Sequence, residues 1–216
     1  MTGKIFVDRV DAGRQLAARL RGICGRDGLV LAIPRGGVVV GAQIARELGL
    51  PLDVVIPRKV GAPHNPEVAI GAVTQDGTTF YNRTLLDFLG LGEDELQEQV
   101  ELQKKEIKRR MLLYRGRVDY PDYSGRQVIL VDDGIATGYT VLAALRWIRR
   151  QFAPGELILA VPVAPTDVVD RLGEEVDRLV VLLVPEDFYA VGQFYQDFSQ
   201  TTDEEVITLL GRPVRE

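Results

Sequence analysis

The run Val128-Ile129-Leu130-Val131-Asp132-Asp133-Gly134-Ile135-Ala136-Thr137-Gly138-Tyr139-Thr140 constrains the fold of this chain more than any other stretch. Four consecutive aliphatic residues read as a strand buried on both faces, as in a parallel sheet. Small residues then make a tight loop, and residues 141–148 continue with apolar side chains at helical spacing. A strand, a tight loop and a helix place that loop at the carboxyl end of a sheet, where α/β folds bind ligands. Unpaired N–H groups at the helix start favour an anion. Thr137 and Thr140 add hydroxyls, and Gly138 permits close approach of the backbone. The stretch is therefore an anion cradle preceded by two carboxylates, which suits a sugar phosphate: carboxylates accept from vicinal hydroxyls while amides hold the phosphate.

Four further apolar runs, at 29–33, 52–56, 157–161 and 179–184, are separated by crossovers. Five such strands predict an α/β fold with a mainly parallel five-stranded sheet covered by helices on both faces. A chain of 216 residues with no repeat and no second linker is read as one domain over 1–216. The net charge of −5 and the lack of a basic tract argue against a nucleic-acid partner. A single cysteine, Cys24, excludes an internal disulfide and suits a reducing cytoplasm. No run reaches the roughly 20 apolar residues of a membrane span, and residues 1–24 do not read as a signal peptide.

The central stretch closely resembles the phosphoribosyl pyrophosphate (PRPP) motif of the type I phosphoribosyltransferases: four hydrophobic residues, two acidic ones, then a small-residue loop with Thr-Gly-x-Thr. The resemblance implies that Asp132 and Asp133 hold the ribose hydroxyls, and that Ala136, Thr137, Gly138, Tyr139 and Thr140 take the 5′-phosphate. It further implies Mg²⁺ as cofactor, touched by Asp132 and Asp133 mainly through hydroxyls or water. The substrates would be PRPP and a nitrogenous base, with pyrophosphate released. Pro34-Arg35-Gly36-Gly37 matches the family's pyrophosphate loop, so Arg35, Gly36 and Gly37 are expected at the leaving group, in unusual backbone geometry. The Arg58-Lys59 pair at the end of the next strand resembles the family's second pyrophosphate contact.

Beyond that motif the chain is less specific. Asp8 is a candidate cap for a helix to Ile23. Gly61, Pro63, His64, Asn65 and Pro66 suggest an exposed connection within a flexible loop at about 58–80, and a hairpin follows at 68–81. A helical insertion is expected at about 83–115, where Lys104, Lys105, Lys108, Arg109 and Arg110 interleave with Glu101 and Glu106. It reads as a solvated charged face, the alternative being an oligomer contact that lends a cation to a neighbour. Five aromatics fall between Phe188 and Phe198, in a segment resembling the family's hood at about 185–200, with Val184 and Phe188 expected nearest the base.

In 6-oxopurine enzymes of the family an Asp stands where this chain has Ala136, which counts against those bases. Asp-Asp-x-x-Ala-Thr-Gly looks more like the adenine enzyme, and Glu67 could then act near the base. A PRPP-sensing regulator without turnover is the alternative function. Other nucleotide enzymes lack support: residues 34–38 carry no Gly-x-Gly-x-x-Gly, no kinase-type P-loop occurs, and His64, the one histidine, lies in no nucleophile-elbow pattern.

Overall fold

The computed structural model describes residues 6–63 and 65–212. Five parallel strands form the main sheet: β1 (Leu29–Ala32), β2 (Leu52–Val54), β6 (Gln127–Val131), β7 (Glu156–Val163) and β8 (Arg178–Leu183), in the order β2-β1-β6-β7-β8. Alternate residues of each strand go to opposite faces. Val30, Ile129 and Ile158 pack with α1 (Arg9–Leu20) and α2 (Gly36–Leu48). Leu31, Leu130 and Leu159 pack with α5 (Tyr139–Phe152) and α6 (Thr166–Gly173). With both faces covered, the inner strands need no polar side, which is why β1, β6 and β7 read as near-continuous apolar runs, whereas the edge strand β2 carries Asp53. This is the α/β fold expected from the five apolar runs.

Register aligns the carboxyl ends of the strands. Ala32 pairs with both Val54 and Val131, and Val131 pairs with Ala160. The loops after β2, β1 and β6 thus leave the sheet side by side. Local signals set the helix ends: as expected, the Asp8 side chain accepts from the Asp11 amide, and Gly49 in the left-handed region closes α2 with φ 68°.

The second sheet, β3 (Arg58–Ala62), β4 (Asn65–Val73) and β5 (Thr79–Tyr81), is antiparallel. It corrects the expectation of an exposed connection at residues 60–62. Val60 and Ala62 alternate inward and are buried, and Gly61 lies where the β3–β4 register shifts. Gly and Pro here mark a bulged hairpin instead of a loop. The expected helical insertion holds α3 (Arg83–Leu89) and α4 (Gln97–Arg115). Val100, Ile107, Met111 and Tyr114 bury one face of α4 in a core shared with β2–β4 and α7 (Asp203–Leu209).

The tail folds back on the chain start. The Phe6 amide donates to the Phe194 carbonyl at 3.0 Å, and the Gln196 amide donates to the Phe6 carbonyl at 2.8 Å. No helix among the described residues is long and apolar enough to cross a membrane.

Candidate active site

Asp132 and Asp133 end β6 at the middle of the sheet, and the structure gives them different surroundings. Arg9 Nε donates to Asp133 Oδ2 at 2.7 Å, and the guanidinium also donates to the Ser199 carbonyl at 2.7 Å and lies 3.9 Å from the centre of the Phe198 ring. Tyr195 Oη donates to the Asp133 carbonyl at 2.6 Å. Asp132 is half-buried, with Gly37 packed against it. Burial and then the neighbouring Asp133 charge push it well above the usual carboxylate range. The Asp133 amide donates to Asp132 Oδ1 at 2.9 Å. One carboxylate of the pair is thus compensated by a cation and the other is not.

Two loops flank this pair. The pyrophosphate-type loop passes so close that only glycine fits. A Cβ on Gly36 would stand 1.9 Å from Asp133 Oδ2 and 2.6 Å from Arg9 Nε, and one on Gly37 would stand 2.9 Å from Asp132 Cα. The Pro34–Arg35 peptide in this loop is cis, in line with the unusual backbone expected there. The other loop runs from Gly134 to Gly138 and opens α5, which has no side-chain cap. Among the described residues, no protein group accepts from the amides of Arg35, Gly36 and Gly37, nor from those of residues 136–141. Ala136 and Thr137 are exposed, while Tyr139 and Thr140 are half-buried at the helix start. The Thr137 carbonyl and the Tyr139 hydroxyl are instead taken from behind. Arg171 donates to the carbonyl, and Asn82 donates to the hydroxyl. Carbonyls held from outside leave amides facing a ligand.

The remaining sequence-derived residues spread over a wider area. The Arg35 side chain has a nitrogen 3.6 Å from Asp203. Arg58 starts β3 and donates from Nε to Gln103 on α4 at 2.9 Å, and Lys59 follows it in β3. The Phe188 ring packs 5.5 Å from Phe194 in a cluster with Phe6, Val163 and Tyr195. Val184 follows β8 and is 43% exposed. The aromatic segment nonetheless borders the dyad loop, because Val191 lies where a Gly134 side chain would stand. Glu67 lies in β4, with its side chain outside the described residues, as is His64. Sequence reasoning missed Arg9, Tyr195 and Arg171. Arg9 reads as an ordinary first-turn helix residue, and its partner is 124 positions away, so no local pattern marks it.

Gly36→Ala is expected to cost about 1–3 kcal/mol, since the added methyl must displace Asp133 and Arg9 or the loop backbone. Urea unfolding should register that loss. A wild-type midpoint would mean the loop does not rest on the dyad.

Comparisons with known proteins give the family. Residues 8–198 match a family model described as a phosphoribosyl transferase domain. Two Mycobacterium tuberculosis proteins, from strains CDC 1551 and H37Rv, are each 43% identical over 218 residues. Each bears a provisional phosphoribosyl transferase name, and the match covers 99% of this chain and 48% of the relative. This chain therefore spans about half the length of the curated relatives it matches. The crystal structure of TT1426 from Thermus thermophilus is 42% identical, with a TM-score of 0.78 over 95% of this chain and 97% of that one. With the family model spanning the dyad, both flanking loops and most of the tail, this chain belongs to the phosphoribosyl transferase domain family.

Proposed function

We propose that the chain transfers the 5-phosphoribosyl group of PRPP to a nitrogen nucleophile and releases pyrophosphate. The observation that carries this reading is the pair of amide-lined loops, free of protein acceptors, on either side of two adjacent carboxylates. That spacing suits a ligand with a phosphate at each end of a diol-bearing sugar. Asp132 and Asp133 would accept from the ribose hydroxyls; a carboxylate has about four acceptor sites, so Asp133 can serve both Arg9 and a hydroxyl. Residues 136–140 would hold the 5′-phosphate. Arg35, Gly36, Gly37, Arg58 and Lys59 would hold the pyrophosphate.

In the reaction the anomeric C–O bond breaks and a C–N bond forms. Pyrophosphate leaves with the bonding electrons, and the nucleophile loses a proton. The chain's task is to keep the reacting atoms in line and to stabilise the departing anion. Among the described residues no group of three or more acidic, His or Cys side chains gathers around a point. The dyad therefore fits an ion carried mainly by substrate oxygens and water, which is how Mg²⁺ is usually held beside phosphates. When bound, Mg²⁺ would neutralise charge on the diphosphate.

On the base side we assign Val184 and Phe188 to the border of the base, and Glu67 to its proton. Ala136, in place of an acidic residue, favours a base other than a 6-oxopurine. A reducing cytoplasm suits a chain whose one thiol is Cys24. The test is pyrophosphate release from PRPP and Mg²⁺ with a panel of purine, pyrimidine and simple amine acceptors. Release with one acceptor, dependent on Asp133, is the expected result. Saturable PRPP binding without release for any acceptor would replace transfer with ligand sensing.

A further inference from the structure

The leaving-group cations expected from sequence, Arg35 in the loop before α2 and Arg58 at the start of β3, both end on a patch built around α4. Gln103, Glu106, Arg110 and Tyr114 are spaced three, four and four residues apart, so they form one stripe along that helix. Arg58 Nε donates to Gln103 at one end of the stripe, at 2.9 Å. In the middle, Arg110 Nε donates to Glu106 at 2.6 Å, and Arg109 donates twice to the same carboxylate, at 2.7 and 3.0 Å. At the far end Tyr114 donates to Asp203. Asp203 also stands 3.6 Å from Arg35 and 4.0 Å from Arg109, between the two guanidiniums. Three arginines thus share two carboxylates, and Arg58 beside them has only the neutral Gln103 amide, leaving an excess of positive charge in a chain whose net charge is −5. The crowding is felt at Arg58: burial first, then the nearby Arg110, lower its affinity for its proton.

We propose that α4 is the outer wall of the pyrophosphate site, that Arg109 and Arg110 bind the pyrophosphate group together with Arg35 and Arg58, and that Asp203 holds the place of the anion until it arrives. This deepens the transfer reading and rests on it for the identity of the anion. Guanidiniums presented from several directions match an anion with many terminal oxygens. Asp203 presents two oxygens to the same cations, so it competes with that anion. The helix read from sequence as a solvated charged face is then a functional face, supplied in the same chain as Arg35 and Arg58.

The test titrates inorganic pyrophosphate calorimetrically into the full chain, without a base. Arg109→Gln is the main variant because its side chain is 53% exposed and the change leaves Arg110 on Glu106. Arg110→Gln and Asp203→Asn complete the set. Lys105→Gln, on an exposed part of the same helix, controls for loss of any positive charge. We expect each arginine variant to weaken pyrophosphate about tenfold or more. Asp203→Asn should tighten it, and Lys105→Gln should leave it unchanged. Wild-type binding that the arginine and Asp203 variants all leave unaltered overturns the inference and leaves the transfer reading standing. Arginine-dependent pyrophosphate binding in a protein that transfers to no acceptor supports the inference and overturns the transfer reading. A wild type that binds no pyrophosphate, with or without Mg²⁺, also overturns the inference, while the transfer reading is decided by release from PRPP.

Discussion

Replacing either dyad carboxylate with its amide should lower kcat/KM for PRPP by about 100-fold, while the two changes move stability in opposite directions. On the proposed transfer reading, the activity loss follows from removing one charged acceptor from a ribose hydroxyl, a bond of roughly 1.5–3 kcal/mol. The stability difference follows from the surroundings. Asp133 is the counter-ion of Arg9, whose side chain is 12% exposed. Asp133→Asn leaves that guanidinium without a carboxylate and should cost about 1–3 kcal/mol. Asp132 has the reverse problem, because burial and Asp133 raise its pKa on folding. The folded state therefore holds that proton more tightly than the unfolded chain does. This contribution is present below the ordinary carboxylate range and is lost as pH rises through the folded value. Asp132→Asn has no such titration, so its advantage over wild type should be absent near pH 4 and grow toward pH 8. Melting curves of both variants across that range check the argument. Parallel pH profiles, or a stabilised Asp133→Asn, would show the charge assignment to be reversed.

The largest effect on folding is expected far from the dyad, at Asp53. Its carboxylate accepts from Arg115 Nε at 2.8 Å and from a second Arg115 nitrogen at 2.9 Å, and Tyr123 Oη donates to it at 2.9 Å. Arg115 is 2% exposed, donates to the Asp119 carbonyl at 2.7 Å and lies 3.7 Å from the centre of the Tyr120 ring. The pair fastens the end of α4 to the edge strand β2. Asp53→Ala should cost about 3–5 kcal/mol, because it leaves a buried guanidinium without its charge partner. That is a large fraction of the stability of an ordinary domain. Adding Arg115→Met should recover part of the loss, since it removes the stranded charge. Equal urea midpoints for the single and double variants would mean that the pair contributes packing alone.

Both effects arise from ion pairs between residues distant in the chain, and here the limits of sequence reading are plain. The apolar runs at 29, 128 and 157 report the main sheet faithfully, because a strand covered on both faces leaves its mark at every position. Asp8, Gly49 and Thr202 mark helix ends because caps are local. The hairpin at β3 reads as a loop because Gly61 and Pro63 are turn signals, while the burial of Val60 and Ala62 depends on what lies beneath them. The charged helix α4 shows the same limit. Its i,i+3 and i,i+4 pairs are legible, but the approach of Arg35 and Asp203 to its stripe is not.

The sequence by itself determined the parallel α/β framework, the strand tip bearing Asp132 and Asp133, and the small-residue loop after it, since each is encoded in contiguous residues. Only the tertiary structure decided which carboxylate is compensated, why Gly36 admits no side chain, and which arginines share a patch. Those outcomes depend on segments distant in the chain, some more than a hundred residues apart, meeting at the carboxyl edge of one sheet. Burial and charge there are properties of the assembled surroundings, not of any stretch of chain.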